Sequence, residues 1–490
     1  MVPRKLGACS ALGALALALA GCSTAGPDYR PPEAAVANLP GAQGNFDSAE
    51  GDAFSQAPLP DHWWRLYDDP RLDALVEEAL AANADLRVAE ANLERAQAAV
   101  REAAGAEGLG VELGAQATAE RNYSLRSAQT SLPGVITSQL GLSFNYPLDL
   151  KGKLKRGIEA SIADREAVEA ARDAVRISVA AATARAYASV CAANYQIATV
   201  EQVVSLQEKT LDATTRLQKG GRGTAFDVSR ARTAVETSKA SLPGFYARRK
   251  AGLYLLATLT GKPPADYPRQ VADCSALPSL REAMPVGDGA AMIRRRPDIR
   301  EAERRIAGDT ARIGVQMADL YPSVSIAGGL MGFNQLRNLP KEESLSFGLG
   351  PLLSWNFPYR AEVRARIDGA EAQVKADIAQ FDATVLEALR GTEEALDTYA
   401  RDREQAQALG RAADSAATSA SQAGKLFRYG RSDFLSLLDA QGALASARVS
   451  HAAAQAALID DQISVFLALG GGWQQAGDTT SGEMPEVSSD

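Results

Sequence analysis

The sequence predicts a mixed fold class, in which four membrane-type β-strands alternate with very long α-helices in two tandem copies of one half. Three observations carry this expectation: an internal duplication at a nearly constant offset, four segments with a period of two, and helical stretches far longer than a globular domain uses. The 490 residues are rich in Ala, with 41 Gly but only 12 Phe and 6 Met. Ala has the highest helix propensity, and small side chains let helix backbones approach closely, so the composition leans toward long packed helices. The formal net charge of −8 leaves no basic footprint for a nucleic acid.

At the N-terminus, Arg4 and Lys5 precede an apolar stretch from Ala8 to Ala20, and Leu19-Ala20-Gly21-Cys22 supplies a small-residue cleavage site. Residues 1–21 therefore read as an export leader; the stretch is shorter than the roughly 20 residues of a spanning helix. Leu-Ala-Gly-Cys resembles the bacterial lipobox, which implies cleavage before Cys22 and acyl chains on its thiol. Ser23 following it, rather than Asp, implies delivery to the outer membrane. A secreted soluble protein with Cys at its cleavage site is the competing reading. Losing Arg4 and Lys5 makes the mature chain more acidic still. Cys9 leaves with the leader, so Cys191 and Cys274 remain. Export permits a disulfide between them, yet nothing in the sequence indicates one, and two buried free thiols are the expectation.

The duplication is clearest where Leu217-Gln218-Lys219-Gly220-Gly221-Arg222 meets Leu426-Phe427-Arg428-Tyr429-Gly430-Arg431 at an offset of 209. That offset continues ungapped, with Ala231 on Ala440 and Leu259-Thr260-Gly261 on Ala468-Leu469-Gly470. Upstream, Asn145-Tyr146-Pro147 meets Asn356-Phe357-Pro358 at 211, and Ala186-Tyr187-Ala188 meets Thr398-Tyr399-Ala400 at 212. A slowly drifting offset is what small loop insertions in two copies of one ancestral half produce. Each half then runs in one order: a helix (Pro70–Ala104, and Pro297–Leu320), two strands, a very long helix, a Gly-rich turn and another long helix.

The strands show their period plainly. Val111, Leu113, Ala115, Ala117 and Ala119 alternate with Glu112, Gln116, Thr118 and Glu120. Leu140, Leu142, Phe144 and Tyr146 alternate with Gln139, Ser143 and Asn145, and Leu345, Phe347, Leu349, Leu353, Trp355 and Phe357 with Ser346, Ser354 and Asn356. The segment from Ser323 to Phe333 starts as cleanly and degrades through glycines. Segments of about ten residues with one apolar and one polar face are the pattern of outer-membrane strands, and a half-buried sheet in a soluble domain gives the same alternation. Four strands cannot close a membrane barrel, and an open edge in lipid leaves backbone groups unpaired, so spanning strands must be pooled among chains. Three chains would supply twelve.

From Leu154 to Gln218 there is no Pro and a single Gly, so one helix of about 95 Å is expected. Ile197, Val200, Val204, Gln207, Leu211 and Thr214 form a heptad-like seam with polar interruptions. Such a helix suits an extended strut or a tunnel wall.

The residues resemble TolC-type outer-membrane efflux proteins, in the NodT-like lipoprotein branch that serves resistance-nodulation-division pumps. The resemblance rests on Arg296-Pro297-Asp298-Ile299-Arg300-Glu301-Ala302-Glu303, on Ala311-Arg312-Ile313-Gly314-Val315 with Ala318-Asp319-Leu320-Tyr321-Pro322-Ser323, and on Leu438-Asp439-Ala440-Gln441. Gly26-Pro27-Asp28-Tyr29, and Trp63-Trp64 with Leu469-Gly470-Gly471-Gly472-Trp473, add to it. It implies a mixed membrane β-barrel plus long α-helical barrel, with the twelve-stranded barrel completed in a homotrimer. It also implies a passive duct, working with a periplasmic adaptor and an inner-membrane pump and carrying drugs or other small toxic compounds, without cofactor or catalysis. Export of metal ions or of proteins by a type I system is the alternative cargo.

On this reading residues 22–110 hold the lipid anchor, an N-terminal extension and the first helix, and 111–147 the first outer-membrane strand pair. The first periplasmic hairpin spans 148–261, an equatorial linker with the second copy's first helix 262–320, the second strand pair 321–358, and the second hairpin 359–473. A disordered tail, 474–490, follows. The tips at Gly221, Arg222, Gly430 and Arg431 would dock the adaptor, or else only cap helices. Leu435 and Asp439 match positions that narrow the pore in relatives; a local ion pair is the alternative for Asp439. Gly442 departs from the family, where an Arg often forms part of the latch. An enzyme is disfavoured because only His62 and His451 exist, without metal-ligand spacing or a phosphate loop. An adaptor lipoprotein would carry one hairpin with lipoyl-like strands rather than a duplication.

Overall fold

The computed structural model describes residues 23–120, 135–274, 276–335, 345–355 and 360–472. The leader 1–21, Cys22, the Asn356-Phe357-Pro358 punctuation, Trp473 and the tail 474–490 lie outside the described residues. The first half contains α1 (Pro40–Gln43), β1 (Phe54–Ser55), α2 (Pro70–Ala82) and α3 (Ala84–Gly105). It continues through β2 (Gly110–Glu120), β3 (Val135–Leu148), α4 (Lys153–Lys219) and α5 (Ala225–Leu259). The second half repeats the order from β4 (Met284–Pro285) through α6 (Gly289–Arg295), α7 (Pro297–Ala318) and β5 (Ser323–Gln335). It ends with β6 (Leu345–Ser354), α8 (Arg360–Arg428) and α9 (Phe434–Ala468).

Two compact units result, one built from the chain up to residue 32 with 92–169 and 301–381, the other from 33–91, 170–300 and the chain from 382 onward. The first contains an antiparallel sheet in the order β2-β3-β5-β6. The register aligns Leu113, Leu142, Leu330 and Phe347, and the next row is Glu112, Ser143, Gly329 and Gly348. One face is therefore apolar and the other mostly polar or bare, with Met331 and Leu352 among its apolar exceptions. The apolar face is open, with Leu113 72%, Phe347 89% and Leu349 71% exposed. The glycines that blur the β5 pattern have a packing cause: the Phe144 ring lies over Gly328, where a Cβ would overlap it.

Also in this unit, the chain just after Cys22 is pinned. The buried Arg156 guanidinium donates to the carbonyls of Ala25 and Gly26 and to Asp28 and Glu159, and the Tyr29 hydroxyl donates to Glu303 at 2.9 Å.

The second unit corrects two expectations. The first is the single helix from Pro70 to Ala104, which is broken at Asn83. The Asn83 side-chain oxygen Oδ1 accepts from the amides of Asp85 and Leu86, restarting the helix as an N-cap. Its amide donates to the Leu259 carbonyl at the end of α5. The other half does the same with a different side chain. Arg296 stands between α6 and α7, holds Asp298 through two nitrogens, and donates to the Ala468 carbonyl at the end of α9. Asn83 and Leu259 map onto Arg296 and Ala468 at the repeat offsets, so this clasp is duplicated.

The second correction concerns the cysteines. Cys191 and Cys274 form a disulfide, with Cα atoms 5.0 Å apart and 83 residues between them. The linker after α5 returns along α4 because Asn194 donates to the carbonyls of Ala272 (2.8 Å) and Cys274 (2.7 Å). That return brings together two thiols that sequence spacing could not pair. In the same unit, from opposite ends of the chain, Trp63 stacks on Phe466 at 4.8 Å and meets Trp64 edge-on, while Gly471 and Gly472 leave room for the indoles.

Candidate functional site

Both hairpin tips are built from one design. At the first, the amide of Arg222 donates to the Leu217 carbonyl and that of Gly221 to Gln218; at the second, Arg431 donates to Leu426 and Gly430 to Phe427. This is a Schellman closure, and it needs a left-handed residue, supplied by Gly221 at φ +70° and Gly430 at φ +68°. The next helix starts at once. Thr224 accepts from the Asp227 amide in a capping box, and Asp433, at the same repeat position, accepts from the Ser436 amide at 2.6 Å. The Ser436 amide and hydroxyl, with the amides of Asp433 and Leu435, hold the Asp433 carboxyl below the usual carboxylate range.

The backbone amides of Arg222 and Arg431 are thus consumed by the turns, and only their exposed side chains face outward. Sequence reasoning missed the apolar side chains that share these tips. Phe226 is 67% and Tyr429 80% exposed. Leu426 is exposed as well, and Arg230 lies over the Phe226 ring at 5.4 Å. The available signal was the presence of aromatic residues inside otherwise polar, Gly-rich turns.

Leu435 and Asp439 sit one turn apart on the opening turns of α9, both exposed. Asp439 makes no ion pair or side-chain hydrogen bond among the described residues, which removes the local ion-pair reading. No hydrogen bond or ion pair links it to Arg222 or Arg431. Two residues further, Gln441 is buried and donates to the Thr210 hydroxyl of α4 at 2.8 Å. This ties the return helix of the second hairpin to the outgoing helix of the first. Gln207, Thr210 and Thr214 are buried on α4 alongside Ile197, Val200 and Val204, and the Thr214 hydroxyl donates to the Thr210 carbonyl. At Gly442 a Cβ would meet open space.

Farther along α8 and α9, Asp402 and Asp461 face each other. Burial, then the Asp402 carboxyl, pushes Asp461 up to about 7. Among the described residues no group of His, Cys, Asp and Glu is arranged to hold a metal ion. No described helix is long and apolar enough to cross a membrane.

The sequence profile of outer membrane efflux proteins matches residues 75–262 and again 291–471, one match per half. Nodulation protein T of Rhizobium leguminosarum bv. trifolii is 29% identical over 441 residues, covering 89% of this chain and 92% of the relative. The probable efflux pump outer membrane protein TtgC of Pseudomonas putida is 29% identical, covering 97% and 98%. Among solved structures, the outer-membrane channel OprN superposes with a TM-score of 0.83 at 33% identity, covering 92% of this chain and all of that one.

Proposed function

The chain belongs to the outer membrane efflux protein family, and from that premise we propose that three copies form a lipid-anchored duct that passively conducts small toxic compounds out of the cell. It is an outer-membrane efflux channel, and in this reading the energy source lies with an inner-membrane partner joined through a periplasmic adaptor. The observation that carries the trimer is the four-stranded sheet. One face is apolar and exposed, the other mostly polar, and the outer edges of β2 and β6 have no partner strand among the described residues. Unpaired backbone groups are costly in lipid, so edges of neighbouring copies must pair, and three copies give twelve strands.

Cys22 is the acylation site in this reading. The tips carrying Gly221, Arg222, Gly430 and Arg431 meet the adaptor, with Phe226 and Tyr429 as apolar contacts beside the arginines. Leu435 and Asp439 become threefold rings at the inner end of the duct, the acidic ring favouring cations. The Gln441–Thr210 bond holds the α9 tip where an Arg at 442 is missing.

Protein from an outer-membrane fraction should run as a trimer when unheated and as a monomer after heating, and purified protein should conduct in planar bilayers. A monomer without conductance defeats the reading. Asp439→Ala should raise conductance and lower cation preference. If conductance, selectivity and antibiotic leakage all stay at wild-type values, Asp439 is not at the constriction.

A further inference from the structure

The strand-to-helix rim of the first unit has a charge character of its own. Between β3 and the body of α4 the chain carries Lys151, Lys153, Lys155 and Arg156 against Asp149, and α8 opens with Arg360, Arg364 and Arg366 against Glu362. At the repeat offset of 211, Lys153 and Lys155 fall on Arg364 and Arg366, so both halves place cations at this depth. The whole chain is acidic at −8, and the four strands contain no Lys or Arg.

Two of these cations lie over aromatic rings at the strand ends. Lys151 Nζ is 4.8 Å from the Tyr321 ring centre, and the Arg360 guanidinium is 5.9 Å from that of Trp355. Both rings are nearly half exposed. A cavity of about 290 Å³ opens here, lined by Asp149, Lys151, Lys153, Asp319, Trp355 and Arg366 among others, with Arg360 beside it on the Trp355 ring. Lys153 is matched by Asp319 at 2.5 Å. Next to the cavity, the last rows of the apolar sheet face present Tyr146, Ile326 and Leu353. Thr24 packs against Gly152 in the same rim turn.

We propose that this rim is a binding site for the headgroup of an anionic phospholipid, with Lys151 and Arg360 meeting the phosphate. Tyr321 and Trp355 lie at glycerol depth, where amphipathic rings collect at a bilayer surface. The acyl chains run along Tyr146, Ile326 and Leu353. The site rests on reading the sheet as a membrane wall. A phospholipid is the occupant that the charges and the adjoining apolar rows call for together, since a free anion would use only the cations.

The test uses full-length protein in nanodiscs of phosphatidylethanolamine mixed with a minority of phosphatidylglycerol, extracted into detergent, with retained lipids counted by native mass spectrometry. Wild type should retain phosphatidylglycerol about fivefold or more above its share of the bulk, and the enrichment should fall as NaCl is raised. The double variant Lys151→Gln, Arg360→Gln should return to the bulk ratio while keeping trimer mobility and conductance. The salt series on wild type requires no variant and stands if the variant fails to fold. Conducting wild-type protein with lipids at the bulk ratio, enrichment insensitive to salt, or a folded variant with undiminished enrichment would overturn the site. Protein that never enters the bilayer overturns the membrane wall and the site with it.

Discussion

Asp461 shows how a single carboxyl can set the pH response of the helical part of the chain. Its pKa, pushed up to about 7 by burial and by Asp402, lies well above the ordinary Asp value of 3.8. Between those values the folded protein holds a proton that the unfolded chain has released, so stability falls as pH rises through this window and levels off above it. Asp461→Asn should flatten the dependence of Tm on pH between about 5 and 7 and raise Tm at pH 8. An unchanged slope assigns the proton to another group. Asp173 is almost wholly buried and is bound by Arg172 at 2.6 Å and by Arg300. Arg300→Ala should cost about 2 kcal/mol in denaturant unfolding. That is less than a fully buried pair, because Arg172 remains and Arg300 is a third exposed.

At the scale of elements, α4 and α8 are long because their stretches are Ala-rich and free of Pro, and they end where a left-handed glycine closes a Schellman turn. Two glycines near the second tip should therefore respond oppositely to Ala. Gly430→Ala forces a Cβ into left-handed backbone and should destabilise by about 1 kcal/mol. Gly442→Ala lies within α9 with open space around its Cβ and should stabilise by about the same amount. Chemical unfolding of the two variants side by side checks this, and the same sign for both would mean that trimer contacts dominate. The clasps at Asn83 and Arg296 show a repeat conserved in geometry and not in residue type. Each fixes the end of a return helix by binding its last free carbonyl.

For the whole molecule, the disulfide and the open sheet edges set the boundary conditions. The Cys191–Cys274 bond closes a loop of about 80 residues, and restricting such a loop in the unfolded chain is worth about 4 kcal/mol. The double variant Cys191→Ala, Cys274→Ala should lose roughly that much stability, and dithiothreitol should no longer change its unfolding midpoint. A reductant-insensitive wild type would contradict the bond. The outer edges of β2 and β6 have no partner strand among the described residues, so in the proposed trimer strand pairing between copies is part of folding itself, and unfolding midpoints should depend on protein concentration.

Much of this was legible in order and period. The alternation of Leu140, Leu142 and Phe144 with Gln139 and Ser143 follows from the pleat, which turns alternate side chains to opposite faces. The turns at Gly221 and Gly430 follow from backbone that favours glycine, so the sequence by itself determined four strands, two long hairpins and their duplication. The break at Asn83 was hidden because its reason, the Leu259 carbonyl, lies 176 residues away. The same holds for the disulfide, for the Gln441–Thr210 tie and for the convergence of Trp63 with Phe466. Local propensity governs where helices and strands run, but contacts between remote segments depend on which faces pack together, and only the tertiary structure decided those.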